Sequence, residues 1–164
     1  MSNDYLQIII DRLANNLNRD VFVQENLNVV RQTLDADRVV LYYFYRQWHG
    51  QVTSESLRSR DLSIAGFTGV DECFNSEYAA LYEAGRVRAI ADIESEKIDE
   101  CHRNFLRKVK VRANLVVPIL TLSGLWGLLI AHQCIEPRSW SLSDIKFMEE
   151  KAQYIAISPI IRND

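Results

Sequence analysis

Proline is nearly missing from this chain: three residues in 164, at positions 118, 137 and 159. Glycine numbers only six. With so few chain breakers there is no flexible linker, repeat or low-complexity tract, and the length predicts a single domain over residues 1–164. Cysteine is also scarce. Cys73, Cys101 and Cys134 are odd in number and widely spaced. That excludes a disulfide framework and predicts free thiols in a reducing compartment. No apolar run approaches the roughly 18 residues of a membrane span. Met1-Ser-Asn-Asp-Tyr5 carries no basic segment, and Ile8-Ile9-Ile10 is too short for the core of a secretory leader. A cytoplasmic location is the expectation. The formal net charge is −3, which points away from nucleic acid and anionic membranes as partners. There is no glycine-rich phosphate loop, no nucleophile elbow and no HExxH helix. His132 and Cys134 share a face by strand period, but with no CxxC and only three histidines in all a zinc site is not expected.

What is present alternates between helical and strand periodicity. Leu6, Ile9, Ile10, Leu13 and Leu17 form a helical stripe that predicts a helix over 4–18. Val23, Leu27, Val30 and Leu34 continue it in a second helix, which Asp35-Ala-Asp37 ends. Arg38 to Tyr45 is β-branched and aromatic, the composition of a strand buried on both faces. Trp48-His49-Gly50 reads as a turn before a partner strand over 51–57. Residues 74–84 read as a helix with Gly85 after it. A short strand over 87–93 and a helix over 98–109 follow. Strands 113–120 and 125–132 flank the hairpin turn Thr121-Leu-Ser-Gly124. A last helix over 141–157 is capped by Ser141 or Ser143, and Pro159 kinks or ends it.

The class this gives is α+β, with a sensor core over about 20–157: a central antiparallel sheet with terminal helices on one face. Its other face is left to residues 58–110. A crossover of about 55 residues is far longer than a connection needs, and ordered excursions of that kind build binding sites. Cys101-His102 lies there near the start of a helix, where the dipole and a neighbouring imidazolium favour a thiolate. Glu100 and Asp99 oppose it. Asp71-Glu-Cys-Phe74 sets Cys73 beside an acid in the same excursion. From the residues alone, Cys101-His102 reads more readily as a half-buried pair with no role, and Cys73 as a small buried hydrophobe. The apolar stripe at the N-terminus predicts either a homodimer through the terminal helices or a monomer with three helices packed on the sheet.

Read together, six segments resemble the cyanobacteriochromes, bilin-binding GAF domains related to phytochromes. They are Asp37-Arg-Val-Val-Leu-Tyr42, Asp71-Glu-Cys-Phe74, Gly85-Arg-Val-Arg-Ala-Ile-Ala-Asp-Ile93, Cys101-His102, Val111-Arg-Ala-Asn-Leu-Val-Val-Pro-Ile119 and Leu125-Trp-Gly-Leu-Leu-Ile-Ala-His-Gln-Cys134. The resemblance runs from about residue 25 to about 155. It implies a GAF fold with the chromophore pocket on the free face of the sheet. It implies a linear tetrapyrrole, phycocyanobilin or its isomer phycoviolobilin, held as a thioether on Cys101, with His102 against the ring nitrogens. Asp71-Glu-Cys-Phe74 is similar to the Asp-x-Cys-Phe motif of the dual-cysteine subfamily, in which the second thiol, here Cys73, adds reversibly to C10 of the bilin. The separation of 28 residues between Cys73 and Cys101 fits that subfamily. Asp71 would bond the pyrrole nitrogens and His132 would lie near the D ring. Arg86 or Arg88 would pair with a propionate, and Tyr82 belongs to the aromatic lining. Where many relatives carry Gly-Trp-Pro before the Asp, this chain reads Arg60-Asp-Leu-Ser-Ile-Ala-Gly66.

The function so implied is a photoreceptor domain, not an enzyme, which passes its state to an output signalling domain outside this chain. Two other readings keep the same fold. One is a thiol oxidoreductase of the free methionine sulfoxide reductase kind, and the other a non-covalent ligand or dimerisation module.

Overall fold

The computed structural model describes residues 2–46, 48–68 and 76–162. Asp71 and Cys73 lie outside them. Helix α1 spans Ser2–Arg19 and α2 spans Val21–Leu34. The Asp20 side chain caps α2 by accepting from the Val23 N–H at 2.9 Å. Asp35 ends it in the left-handed region, φ 51°, with its N–H returned to the carbonyls of Arg31 and Gln32. Asp tolerates that conformation better than most residues, which is why the chain turns into a strand there.

Strands β1 (Arg38–Arg46) and β2 (His49–Leu57) form the first hairpin. β2 therefore starts at His49, two residues before the point that sequence composition suggests. A 3-10 turn, Arg60–Leu62, opens the excursion, which then carries α3 (Ser76–Glu83), β3 (Arg88–Ile90) and α4 (Glu100–Lys108). β4 (Ala113–Thr121) and β5 (Gly124–Gln133) form the second hairpin. α5 (Leu142–Ala156) begins with a capping box between Ser141 and Asp144. Pro159 opens a separate short helix, α6, Pro159–Arg162. No helix is long and apolar enough to cross a membrane among the described residues.

The five strands pair antiparallel in the order β2-β1-β5-β4-β3. Residues 58–110 thus intervene between two hairpins that lie side by side. Alternation along each strand separates two environments. Val39 and Leu41 of β1, Leu115, Val117 and Ile119 of β4, and Leu129 and Ala131 of β5 are fully covered by α2, α5 and the end of α1. On α1 itself, Leu17 is buried in this core and Leu13 packs against it. Ile9, expected in the stripe, is exposed together with Tyr5 and Ile8. Gly127 lets β5 come close to β1, since a Cβ there would collide with the carbonyl oxygen of Tyr42.

Candidate functional site

The strand residues of opposite parity face the excursion. Val40, Tyr42 and Phe44 of β1, Leu128, Ile130 and His132 of β5, and Asn114 and Val116 of β4 form the floor of a cavity. Ile64 and Phe67 wall one side, Tyr78 and Tyr82 of α3 another, and His102, Phe105 and Leu106 of α4 a third. The cavity offers about 120 Å³ of space to water-sized groups. Val116, Leu128 and Ile130 both line the cavity and pack with Tyr82 in a small core of their own. Apolar periodicity marks both faces of a strand alike and does not tell a packed face from an open one.

The outer side of the excursion is tied down by ion pairs. Arg112 bonds Asp92 through two nitrogens at 2.7 and 2.9 Å. Arg107 bonds Glu94 at 2.8 and 2.6 Å. Arg103 of α4 donates to the carbonyls of Ile93 and Glu96 at 2.9 and 2.7 Å. Inside, Ile90, Ile93, Leu106, Val109 and Val111 make a small core of their own, so the excursion does not depend on the sheet alone for burial.

Two histidines, His132 buried and His102 half-buried, set the polarity of the site. His132 accepts a hydrogen bond at Nδ1 from Arg38 Nε, 3.0 Å. Burial first, and Arg38 second, hold its imidazole well below the ordinary 6.5. The ring is therefore neutral, and its single proton sits on Nε2. Arg38 is itself fully buried. Its two terminal nitrogens donate to the Leu62 carbonyl at 2.7 Å and the Val109 carbonyl at 2.6 Å. One guanidinium thus holds both ends of the excursion and a floor histidine.

His102 lies nearly parallel to Phe105, with centroids 6.4 Å apart. Burial, then Arg88 and Arg86, lower its pKa from 6.5 to about 4, against an opposing pull from Asp99. The expectation of an imidazolium beside Cys101 is corrected here: with two guanidiniums near and little water, the ring stays neutral at neutral pH. Cys101 is exposed in the first turn of α4. It is disulfide-bonded in this structure, while Cys134 is a free, half-buried thiol whose pKa burial raises. Free thiols throughout, as cysteine spacing suggests, are thus not what the structure holds.

The two arginines separate in role. Arg88 lines the cavity, and its Nε is buried without a hydrogen-bond partner. Arg86 lies over Tyr78 and Tyr82, 6.0 and 5.9 Å from their ring centres. Tyr82 is buried in the wall, which raises its phenol pKa. Tyr78 donates to Asp99 at 3.3 Å. The structure thus brings His102, His132, Arg88 and Tyr82 to one cavity. No group of His, Cys, Asp and Glu suited to a metal occurs among the described residues. Arg38 and Asn114 escape a reading from sequence. Their signal is a polar residue inside an apolar strand at cavity parity, and it means little until the opposite face is known to be a site.

Three known proteins frame this geometry. An uncharacterized protein of Picosynechococcus sp. is 45% identical over 151 residues, 92% of this chain and 93% of its own length. A putative methyl-accepting chemotaxis protein of Synechocystis sp. is 40% identical over 77% of this chain, which spans only 12% of that longer protein. Among solved structures, the blue-light-absorbing form of the PixJ GAF domain of Thermosynechococcus elongatus, described as a cyanobacteriochrome, superposes with TM-score 0.76 at 36% identity, over 85% of each chain. The GAF domain family matches residues 18–158, and the chain belongs to it.

Proposed function

We propose that this GAF domain is a light sensor that carries a linear tetrapyrrole as a thioether on Cys101. The observation that supports it best is the cavity itself. It is aromatic-lined and apolar on the free face of the sheet, with His102 in its wall and Cys101 one residue away on the same helix turn. The residues fit such a ligand: a bilin needs an apolar slot with a few polar groups at its edges, and Arg88 Nε and Asn114 Oδ1 are buried there without partners. When bound, the bilin supplies visible absorption and a C15=C16 double bond that isomerises in light.

The chain's own residues divide the remaining work. Cys101, reduced in a cytoplasmic setting, tethers the ligand and removes dissociation. Arg88 takes a propionate, for which a guanidinium is well matched. Neutral His102 lies against the ring nitrogens. Tyr82 and the other aromatics exclude water. The resemblance of Asp71-Glu-Cys-Phe74 to the dual-cysteine motif supports a second, reversible bond from the Cys73 thiol to C10, with Asp71 on the pyrrole nitrogens. That bond would split the conjugation and move one photostate to the blue or violet. Phycocyanobilin, in part isomerised to phycoviolobilin, is the proposed ligand. The domain turns over no substrate, and it reports to an output domain beyond this chain. The chemotaxis relative, of which a domain like this one is a small part, supports that arrangement.

Co-expression with a phycocyanobilin source tests the reading. A coloured protein with a zinc-enhanced fluorescent band on a denaturing gel is expected, and Cys101→Ala should abolish that band. Cys73→Ala should keep the band while the short-wavelength state disappears. A colourless wild type that consumes methionine sulfoxide with a thiol reductant would select the oxidoreductase instead.

A further inference from the structure

A second recess opens beside the cavity, between residues 61–67 and the C-terminal end of α4. It offers about 440 Å³ to water-sized groups, more than the cavity itself. Ile64, Phe67 and Val109 line both spaces, but His102, His132, Arg88 and Tyr82 do not line this one. The recess is thus separate from the groups assigned to the bilin.

Its ionisable lining is Arg38, Lys108, Lys110 and Asp61, three cations against one acid, in a chain whose formal net charge is −3. Arg38 is the unusual member. It has no exposed surface, and its side-chain hydrogen bonds go to neutral acceptors: His132 Nδ1 and the carbonyls of Leu62 and Val109. A guanidinium carries five N–H groups, so these three bonds leave it unfilled, and no carboxylate pairs with it among the described residues. The nearby acids are engaged elsewhere. Asp37 is bonded by Arg58 at 2.9 Å, and Glu55 accepts from Ser63 and from the Ile64 N–H. A buried charge without a counter-ion is costly, and the recess is the side from which a counter-charge can approach.

The rim carries the other two cations. Lys108 and Lys110 are exposed, and neither has an ion pair among the described residues. Lys108 Nζ lies 5.9 Å from the centre of the Phe67 ring, which belongs to the opposite wall. Lys110 is close enough to Asp61 to act on its carboxylate, which also accepts from Ser59. The last carbonyls of α4 would repel an anion, but they are turned to internal donors. Those of Phe105, Leu106 and Arg107 accept from the backbone N–H groups of 109–111, and that of Val109 accepts from Arg38.

We infer that this recess binds a phosphate group, free or as a small phosphomonoester, with Lys108 and Lys110 as direct contacts and Arg38 as the buried charge behind them. A phosphomonoester carries close to two negative charges at neutral pH, which balances the excess of cations over Asp61. A carboxylate supplies only one. Ammonium groups act as point charges and suit phosphate oxygens without a fixed fork geometry. Asp61 opposes the ligand and keeps its binding weaker than the three cations alone would make it.

The test uses the whole isotope-labelled chain, titrated with inorganic phosphate, glycerol 3-phosphate and acetate at fixed ionic strength and followed by NMR. Phosphate should shift the amides of residues 61–66 and 108–110 saturably, and the Arg38 Nε–H signal with them. Acetate should bind at least tenfold more weakly. The double variant Lys108→Gln, Lys110→Gln should weaken phosphate binding about tenfold, and Asp61→Asn should strengthen it about threefold, the scale of exposed charge pairs. All three positions are exposed, so these variants keep the fold. Glycerol 3-phosphate binding as tightly as phosphate identifies an ester as the ligand, and weaker binding of the ester identifies free phosphate. Acetate equal to phosphate overturns the site, and so does the absence of saturation or an unchanged affinity in the lysine variant. An Arg38 signal that stays still while the amides saturate overturns the part given to Arg38.

Discussion

On one face of the sheet Val39, Leu41, Leu115, Val117, Leu129 and Ala131 are covered by helices and have no exposed surface. On the other, their immediate neighbours Val40, Tyr42, Asn114, Val116, Leu128 and Ile130 line a cavity. The residue types on the two faces are much alike, and the strands that carry them are the same. The difference lies in what covers them. α2 and α5 are continuous, capped at both ends and apolar on one side, so they close over the sheet completely. The excursion covers it with short elements, a small core of its own and a rim of ion pairs, which leaves room between. A closed core holds the fold and a loosely roofed one holds a ligand.

That contrast can be broken most sharply by a pair of adjacent substitutions. Leu129→Ala removes a fully buried side chain from the closed face and should cost about 2–5 kcal/mol. Leu128→Ala enlarges a space that already exists, so it should cost less than half as much. Urea unfolding of the two apoproteins checks this, and equal losses would mean the cavity collapses when no ligand is bound.

Acid should act first on the cavity face. The His102 pKa is depressed from 6.5 to about 4 in the fold. Its contribution to stability is therefore complete above the unfolded value of 6.5 and is lost as pH falls towards about 4. The loss should run near 1 kcal/mol per pH unit over that window. His132 is also held well below 6.5 and adds in the same direction. Denaturation curves collected between about pH 7 and pH 5 should show the decline, and His102→Gln should make it shallower.

On the helix face, removal of the α5 cap by Ser141→Ala should cost about 1 kcal/mol, whether or not the cavity holds a ligand. Parallel unfolding of apoprotein and bilin-loaded protein checks that independence. The smallest effect on folding is expected at the outer surface of α1, where Tyr5, Ile8 and Ile9 are exposed. Ile9→Lys should change stability by less than about 0.5 kcal/mol. If two chains meet through this surface, the same substitution should shift light scattering from dimer towards monomer, and an unchanged mass would rule that surface out.

The strands β1, β4 and β5, the cap at Ser141 and the break at Asp35 were all legible in the sequence, because each depends on residues within a turn or two of one another, whereas the cap at Asp20 is seen only in the structure. The antiparallel sheet with helices on one face followed from the same local patterns. The motif at Cys101-His102 marked the excursion as the place of interest, and the structure brings His102 to the cavity wall with Arg88 and Tyr82. Three matters waited for the tertiary structure. Which parity of each strand would be roofed and which left open cannot be told from periodicity, since both faces are apolar. The protonation of His102 and His132 depends on how much water and which guanidiniums surround them. And Arg38 finds its partners at Leu62, Val109 and His132, between 24 and 94 residues away. Local propensity carries no information over such distances; only the folded chain brings a strand arginine, two loop carbonyls and an imidazole within hydrogen-bond reach.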